Sequence, residues 1–555
     1  MKDPFELSHA LVDETAELSP ILATNLGIPG YDDLWPDFGP DGIDRQIDLV
    51  ERYRRAFAAH LEHLDPWQRL AAHVVHDNLS EQSRAYAAGD HLYDVAHMAS
   101  SFEWIKMVFD VMDTTTAEGW ANVCRRLETI GSAYDGYRAR LELALDEGKV
   151  SAARQARSIV TQARNLAGPG SAFAALSRRA DGFPSVSERL VSAIETARAE
   201  AGRVADFVES RYLPAAPEAD GVGEERYLRS VDEFLGLEID PHEVYGWAWE
   251  ELHRIRREMQ KVGQDILPGA SIAEVADVLD NDPERAAPNQ EAFAAFVRAR
   301  LEAAVDELDG PHFDVPDPVK SVSVTIAPPG GPPGAYYVPP SEDFSRPGGV
   351  WYSMPAEDGP VPLYKEVSTA YHEGFPGHHL QVALTRTFSD RLSRFHRSII
   401  WYPGYGEGWA LYTERLMEEL GYFEKPEYVF GMLASHVFRA SRVVVDLGLH
   451  LGLEISAGSP LHAGEPWTFE RAVEFMQAVG MQAPDYAESE VLRYLGWPAQ
   501  AISYKLGERE ILDLRETARR REGPGFDLKA FHGRVLGHGE MRLDLLRQVV
   551  LEGWG

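Results

Sequence analysis

The chain has 555 residues, 44% hydrophobic and 26% charged. Those proportions are ordinary for a globular protein, and the length exceeds what one hydrophobic core usually organises. The formal charge of −34 comes from 54 Lys and Arg against 88 Asp and Glu; it argues against a nucleic-acid partner and against docking on anionic lipid.

From the start to about Tyr212 apolar residues recur at three- and four-residue spacing, as in LVERYRRAFAAHLEHL and RLVSAIETARAEAGRVADFVESRYL, which predicts helices. PAAPEADGVG, beginning at Pro214, is the linker candidate, so residues 1–213 form an expected amino-terminal helical lobe and residues 224–555 a second lobe, the two fused in one body. Between Gly310 and Pro362 prolines and glycines crowd together. KSVSVTIAP, AYYVPP and GGVWYSM predict three short strands, a small sheet over about 318–354. After Leu363 the pattern is helical to the end, and the fold class expected is mainly α. One cysteine, Cys124, no charged and apolar leader and no long apolar run together predict a cytoplasmic protein without a membrane partner.

The chemistry concentrates in YKEVSTAYHEGFPGHHLQVAL, Tyr364 to Leu384. A His-Glu-x-x-His helix grips zinc with two histidines on one face and activates water with the glutamate. Here Pro376 stands four residues after His372, and the next histidines are His378 and His379. In a straight helix of ~100° per residue His378 lies ~120° off the face of His372, while His379 lies ~10 Å along the axis. Pro376 removes a helix donor and Gly377 permits unusual dihedrals, so a bulge there could bring His378 beside His372. The alternative is a helix ending at Phe375 and a surface histidine pair. A second segment, YPGYGEGWALYTERLMEEL, starts at Tyr402. Glu407 in it is either a dipole partner at a helix start or a third ligand. Glu414, seven residues on and on the same face, is a candidate partner to orient a histidine.

HEGFPGHHLQ and EGWALYTE resemble the signatures of the domain-of-unknown-function family 885, H-E-x-x-P-G-H followed by E-G-W-A-L-Y. RVVVDLGLH from Arg442 and RYLGWPAQAISYKLG from Arg493 are similar to further family segments, although the family usually has Pro-Gly-Gln-Ala where this chain has Pro498-Ala499-Gln500-Ala501. The family looks like a relative of the gluzincins, zinc peptidases whose third ligand is a glutamate. That resemblance implies one zinc ion on His372, His378 and Glu407, with His378 chosen over His379 and Glu407 over Glu414. It also implies a helical body with a deep cleft and a short edge strand beside the metal, for which Gly348 to Met354 is the candidate.

The expected function is therefore a zinc-dependent hydrolase, a peptidase acting on a peptide or small amide. Glu373 is the expected general base and Tyr504, then Tyr494, the expected oxyanion donor. Gly349, Val350, Trp351 and Arg493 are the expected substrate contacts, with Arg442 and Lys505 as further candidates for holding a carboxylate. Asp446 is a possible carboxylate behind the site. The rival readings are a peptide-binding clamshell without catalysis and a zinc hydrolase of non-peptide amides or esters.

Overall fold

Helix starts are written in aspartate and proline. Asp3, Asp65 and Asp240 each accept hydrogen bonds from first-turn N–H groups and each precedes a proline, whose missing donor costs nothing at that position. A computed structural model describes residues 2–180, 182–327, 334–342, 344–355 and 359–554. It is mainly helical, with a few short strands. Among the described residues no helix is long and apolar enough to cross a membrane.

The chain divides into two compact units. The first holds Met1–Val222, Ser393–Phe395 and Leu492–Trp497. Its central helix α1 (Ala117–Asp146) buries Trp120, Val123, Leu127, Ile130, Tyr134, Tyr137 and Leu141, a continuous stripe at helical spacing. Helix α2 (Ser187–Phe207) packs on it. The expected linker after Pro214 lies against this unit: Ala153 N–H donates to the carbonyl of Pro217, and Arg154 pairs with Asp220.

The second unit holds Gly223–Leu392, His396–Val491 and Pro498–Gly555. Its helices of interest are α3 (Pro241–Ile266), α4 (Glu366–Glu373), α5 (His378–Thr387), α6 (Pro403–Glu419), α7 (Pro426–Leu451) and α8 (Ser503–Glu522). Helix α7 packs along α3 and is the buried spine of the unit: from Phe430 to His450 every residue except Ser435 and Arg439 is buried. Helices α6 and α8 meet backbone to backbone. A Cβ on Gly408 would stand 2.5 Å from the Gly507 carbonyl carbon, and one on Gly507 would stand 2.0 Å from the Gly404 oxygen. Only glycine at these positions allows that approach.

The small sheet has strands β1 (Val322–Ile326), β2 (Ala335–Val338) and β3 (Gly348–Tyr352) in the order β1-β3-β2. The strand expected at the edge is thus the centre. Gly349, Val350 and Trp351 pair in parallel with Ser323, Val324 and Thr325, and antiparallel with Val338, Tyr337 and Tyr336. Both backbone edges are used, so these residues cannot take an extended substrate by strand addition. The reason is steric. A Cβ on Gly348 would meet the Tyr337 hydroxyl at 2.2 Å and one on Gly349 would meet Ser323 Oγ at 2.1 Å, so the paired glycines admit a neighbour on each side. Among the described residues β1 and β2 are the two edges of this sheet.

Candidate metal centre

Helix α4 stops at Glu373, and α5 begins at His378. The four residues between form a break rather than a bulge, and it includes a cis Phe375-Pro376 peptide. Gly377 makes the break possible: a Cβ there would lie 2.0 Å from the carbonyl oxygen of His372. Trp409 of α6 donates its indole N–H to the carbonyl of Pro376 at 2.9 Å, and Phe375 is fully buried. The turn is thereby fixed from both sides.

The break brings His378 back to His372, with ring centroids 5.0 Å apart and planes at 88°. Glu407, in the second turn of α6, completes the group. Its Oε2 lies 3.3 Å from His372 Nε2 and 3.3 Å from His378 Nε2. One ligand atom from each residue falls within 4.8 Å of the others. Glu407 Oε2 is buried and has no hydrogen bond of good geometry. Two tetrahedral ligands at zinc–nitrogen and zinc–oxygen bond lengths stand about 3.3 Å apart. Two imidazoles and a carboxylate at this spacing fit a zinc-type cation.

His379 is excluded as a ligand. It is buried, its Nε2 donates to the carbonyl of Val319 at 2.7 Å, and its Nδ1 accepts from the Tyr337 hydroxyl at 3.1 Å. It ties β2 to α5. Burial lowers its pKa to about 4, so the ring is neutral, as those two bonds require.

The candidate ligand histidine on α4 has a carboxylate behind it. His372 Nδ1 donates to Glu414 Oε1 at 2.8 Å, and Ser368 donates to the other oxygen of Glu414. This orients His372 with Nε2 forward. Burial alone would lower the His372 pKa, but the carboxylates of Glu407 and Glu414 beside it raise it to about 9. Burial would likewise raise Glu407, yet His378 and His372 hold it well below the usual carboxylate range. Glu373, next to His372, is pushed up by burial and opposed by the two histidines.

A cavity of about 660 Å³ opens over this group, within the second unit. Glu373, His372, His378 and Glu407 line it, as do Tyr504 and the β2 residues Ala335 to Tyr337. Tyr504, one turn before Gly507 on α8, lines the same cavity as Glu407. Several other expected residues lie elsewhere. Arg493 and Tyr494 belong to the first unit and do not line the cavity. Lys505 is buried against Glu251 at 3.0 Å and Glu508. Arg442 lines the cavity but pairs with Glu490 at 2.8 Å. Asp446 accepts from Tyr227 at 2.6 Å and from the Ala499 N–H at 3.0 Å, joining helices away from the ligands.

Sequence reasoning missed three groups in the wall. Trp401 is 46% exposed, and its indole covers Gly406 beside Glu407. Glu540 is a buried carboxyl raised to about 8 by burial, against hydrogen bonds from Tyr402 N–H and Gln381. Arg439 is the third. An exposed aromatic or an unpaired charge has no spacing signature; only the fold reveals either.

Residues 20–550 match the model of a family described as bacterial protein of unknown function (DUF885). No curated protein matches. Two solved structures are similar across 99% of this chain. One, from Colwellia psychrerythraea, is described as a "putative lipoprotein"; it is 22% identical, covered over 98% of its length, with a TM-score of 0.83. The other, from Shewanella oneidensis, is a "putative lipoprotein of unknown function"; it is 20% identical, covered over its full length, with a TM-score of 0.74. These likenesses establish the fold. The description of the two solved structures as lipoproteins overturns the cytoplasmic expectation, which rested on one cysteine and the lack of a leader and of a long apolar run.

Proposed function

The chain belongs to the bacterial DUF885 family of proteins of unknown function, and from its site we propose that it is a zinc-dependent hydrolase of peptide bonds, a relative of the gluzincins. The observation that carries this reading is the convergence of His372, His378 and Glu407 at a cavity wall that also presents Glu373. A zinc ion on those three residues would supply a Lewis acid and lower the pKa of water at the site. Glu373 is placed to take the proton of water as its oxygen bonds the substrate carbonyl carbon. It then passes that proton to the departing amine nitrogen as the carbon–nitrogen bond breaks. Tyr504, one of the tyrosines lining the cavity, would donate to the carbonyl oxygen. The edge strand β2 in the cavity wall favours an extended peptide over a compact amide or ester, because strand pairing needs a run of backbone groups. The lipoprotein description of the two solved neighbours supports action outside the cytoplasm.

Two variants test the proposal. Glu373→Gln keeps size and packing but removes the base. It is expected to retain zinc and to lose about 10²–10⁴-fold in peptide hydrolysis. Glu407→Gln removes a ligand and is expected to lose zinc as well. Metal analysis with a peptide library reads both. Zinc and full activity in both variants would refute the site. Zinc without cleavage of any peptide by the wild type would favour a binding protein or a non-peptide substrate.

A further inference from the structure

Four cationic side chains line the cavity among the described residues: Lys365, Arg397, Arg439 and Arg442. Two have a carboxylate partner and a third donates to a backbone carbonyl. Arg442 pairs with Glu490 at 2.8 Å, Lys365 lies 3.9 Å from Asp280, and Arg397 donates to the carbonyl of Leu392. Arg439 differs. It has no carboxylate partner among the described residues; one nitrogen donates to Ser435 Oγ at 2.5 Å, and its Nε is buried with no acceptor. Arg439 and Ser435 are the two residues that interrupt the burial of α7 between Phe430 and His450, and both line the cavity.

A guanidinium with unused donors in a cavity wall is costly unless an anion meets it. Its position is held: Arg439 lies 5.4 Å from the Phe438 ring and 5.8 Å from the Tyr504 ring. It is also near enough for its charge to act on Glu373. Among the described residues, no carboxylate forms an ion pair with this cation. The cavity has the size of a small-ligand site, so a peptide held there is short and brings its own terminal carboxylate close to the hydrolytic group.

We propose that Arg439 binds the free C-terminal carboxylate of a short peptide substrate, which makes the protein selective for peptide ends over chain interiors. This rests on the hydrolase reading for its substrate class, but its binding claim can be tested apart from turnover. The planar guanidinium matches a carboxylate through two parallel hydrogen bonds, which an amide cannot reproduce. An aspartate or glutamate side chain would offer the same chemistry, and the test separates the two sources.

The probes are Gly-X dipeptides and tripeptides, each as free acid and C-terminal amide, with X neutral or acidic. Binding is measured by calorimetry in the zinc-loaded Glu373→Gln protein, where turnover is slow, and again with Arg439→Gln or Arg439→Lys added. Free acids are expected to bind about 10–100-fold tighter than amides, the range of a charge-assisted pair. Arg439→Gln should abolish that ratio, and Arg439→Lys should restore part of it, at unchanged zinc content and melting temperature. In the otherwise wild-type protein, Arg439→Gln should raise KM for free-acid peptides and leave amides unaffected. Equal binding of acid and amide overturns the proposal. So does discrimination that survives Arg439→Gln, or that follows an acidic X regardless of the terminus. An equal fall in kcat for acid and amide peptides would also overturn it, placing Arg439 on the reacting carbonyl. If the acid preference and its loss stand while no peptide is cleaved, the hydrolase reading fails and the carboxylate site remains.

Discussion

At the scale of single residues, two adjacent histidines have opposite fates. His378 turns its Nε2 toward Glu407, whereas His379 spends both nitrogens on Val319 and Tyr337. His378→Ala is therefore expected to lose zinc with a modest stability change. His379→Ala should keep zinc but cost about 1–3 kcal/mol for each polar group left buried and unpaired; metal titration and denaturant melts of the pair check this. Glu414→Ala leaves the ligands in place but frees His372 to rotate, and zinc affinity should fall about 10–100-fold. The metal-free site also has a defined pH response. His372 is raised above its ordinary value to about 9. Its contribution to stability is thus fully present below about 6.5 and is lost as pH rises through about 9. Thermal melts of the metal-free protein should show that decline, and zinc affinity should fall as pH drops below about 9, because metal and proton compete for one nitrogen.

At the scale of elements, the site depends on one broken helix and one close helix pair. Gly377→Ala puts a methyl 2.0 Å from the His372 carbonyl, so the break cannot keep its path. The expected cost is about 1–3 kcal/mol, together with loss of zinc, because His378 swings out of register with His372. Gly408→Ala acts on the other support. It forces α6 from α8, at a similar cost, and should lower hydrolysis more than zinc content, since it separates Tyr504 from Glu407 without removing a ligand. Parallel metal and activity assays on the two variants distinguish these outcomes. The three strands were legible in alternating Val, Thr and Tyr between Pro-Gly turns. Their order was not, because a Val-Trp-Tyr composition suits a central strand as well as an edge, and pairing is decided by which backbones come within 5 Å.

At the scale of the whole molecule, the chain passes between its two units several times. Ser393–Phe395 and Leu492–Trp497 pack with the first unit although their neighbours in sequence belong to the second. Gln155, for example, donates to the carbonyl of Leu492 at 2.9 Å. A chain beginning at Gly223 would keep every proposed ligand but leave those segments without their partners. It should melt below the full-length protein and bind ANS more strongly, despite an intact His372, His378 and Glu407. Equal melting temperatures would show that the second unit folds independently.

By itself the sequence determined the helical class and the three short strands, and its likeness to the family's motifs pointed to the three residues that converge as candidate ligands. Those features are local: apolar spacing, turn residues, and a His-Glu pair interrupted by Pro-Gly are written within stretches of ten to twenty residues. Only the tertiary structure decided that His379 is bonded away from the site, that β2 rather than β3 is an edge strand, and that Lys505 and Arg442 are already paired. Among the described residues it also left Arg439 in the cavity wall with a buried Nε that has no acceptor. Each of these depends on which groups from distant parts of the chain arrive within hydrogen-bonding distance, and no periodicity along the chain records that.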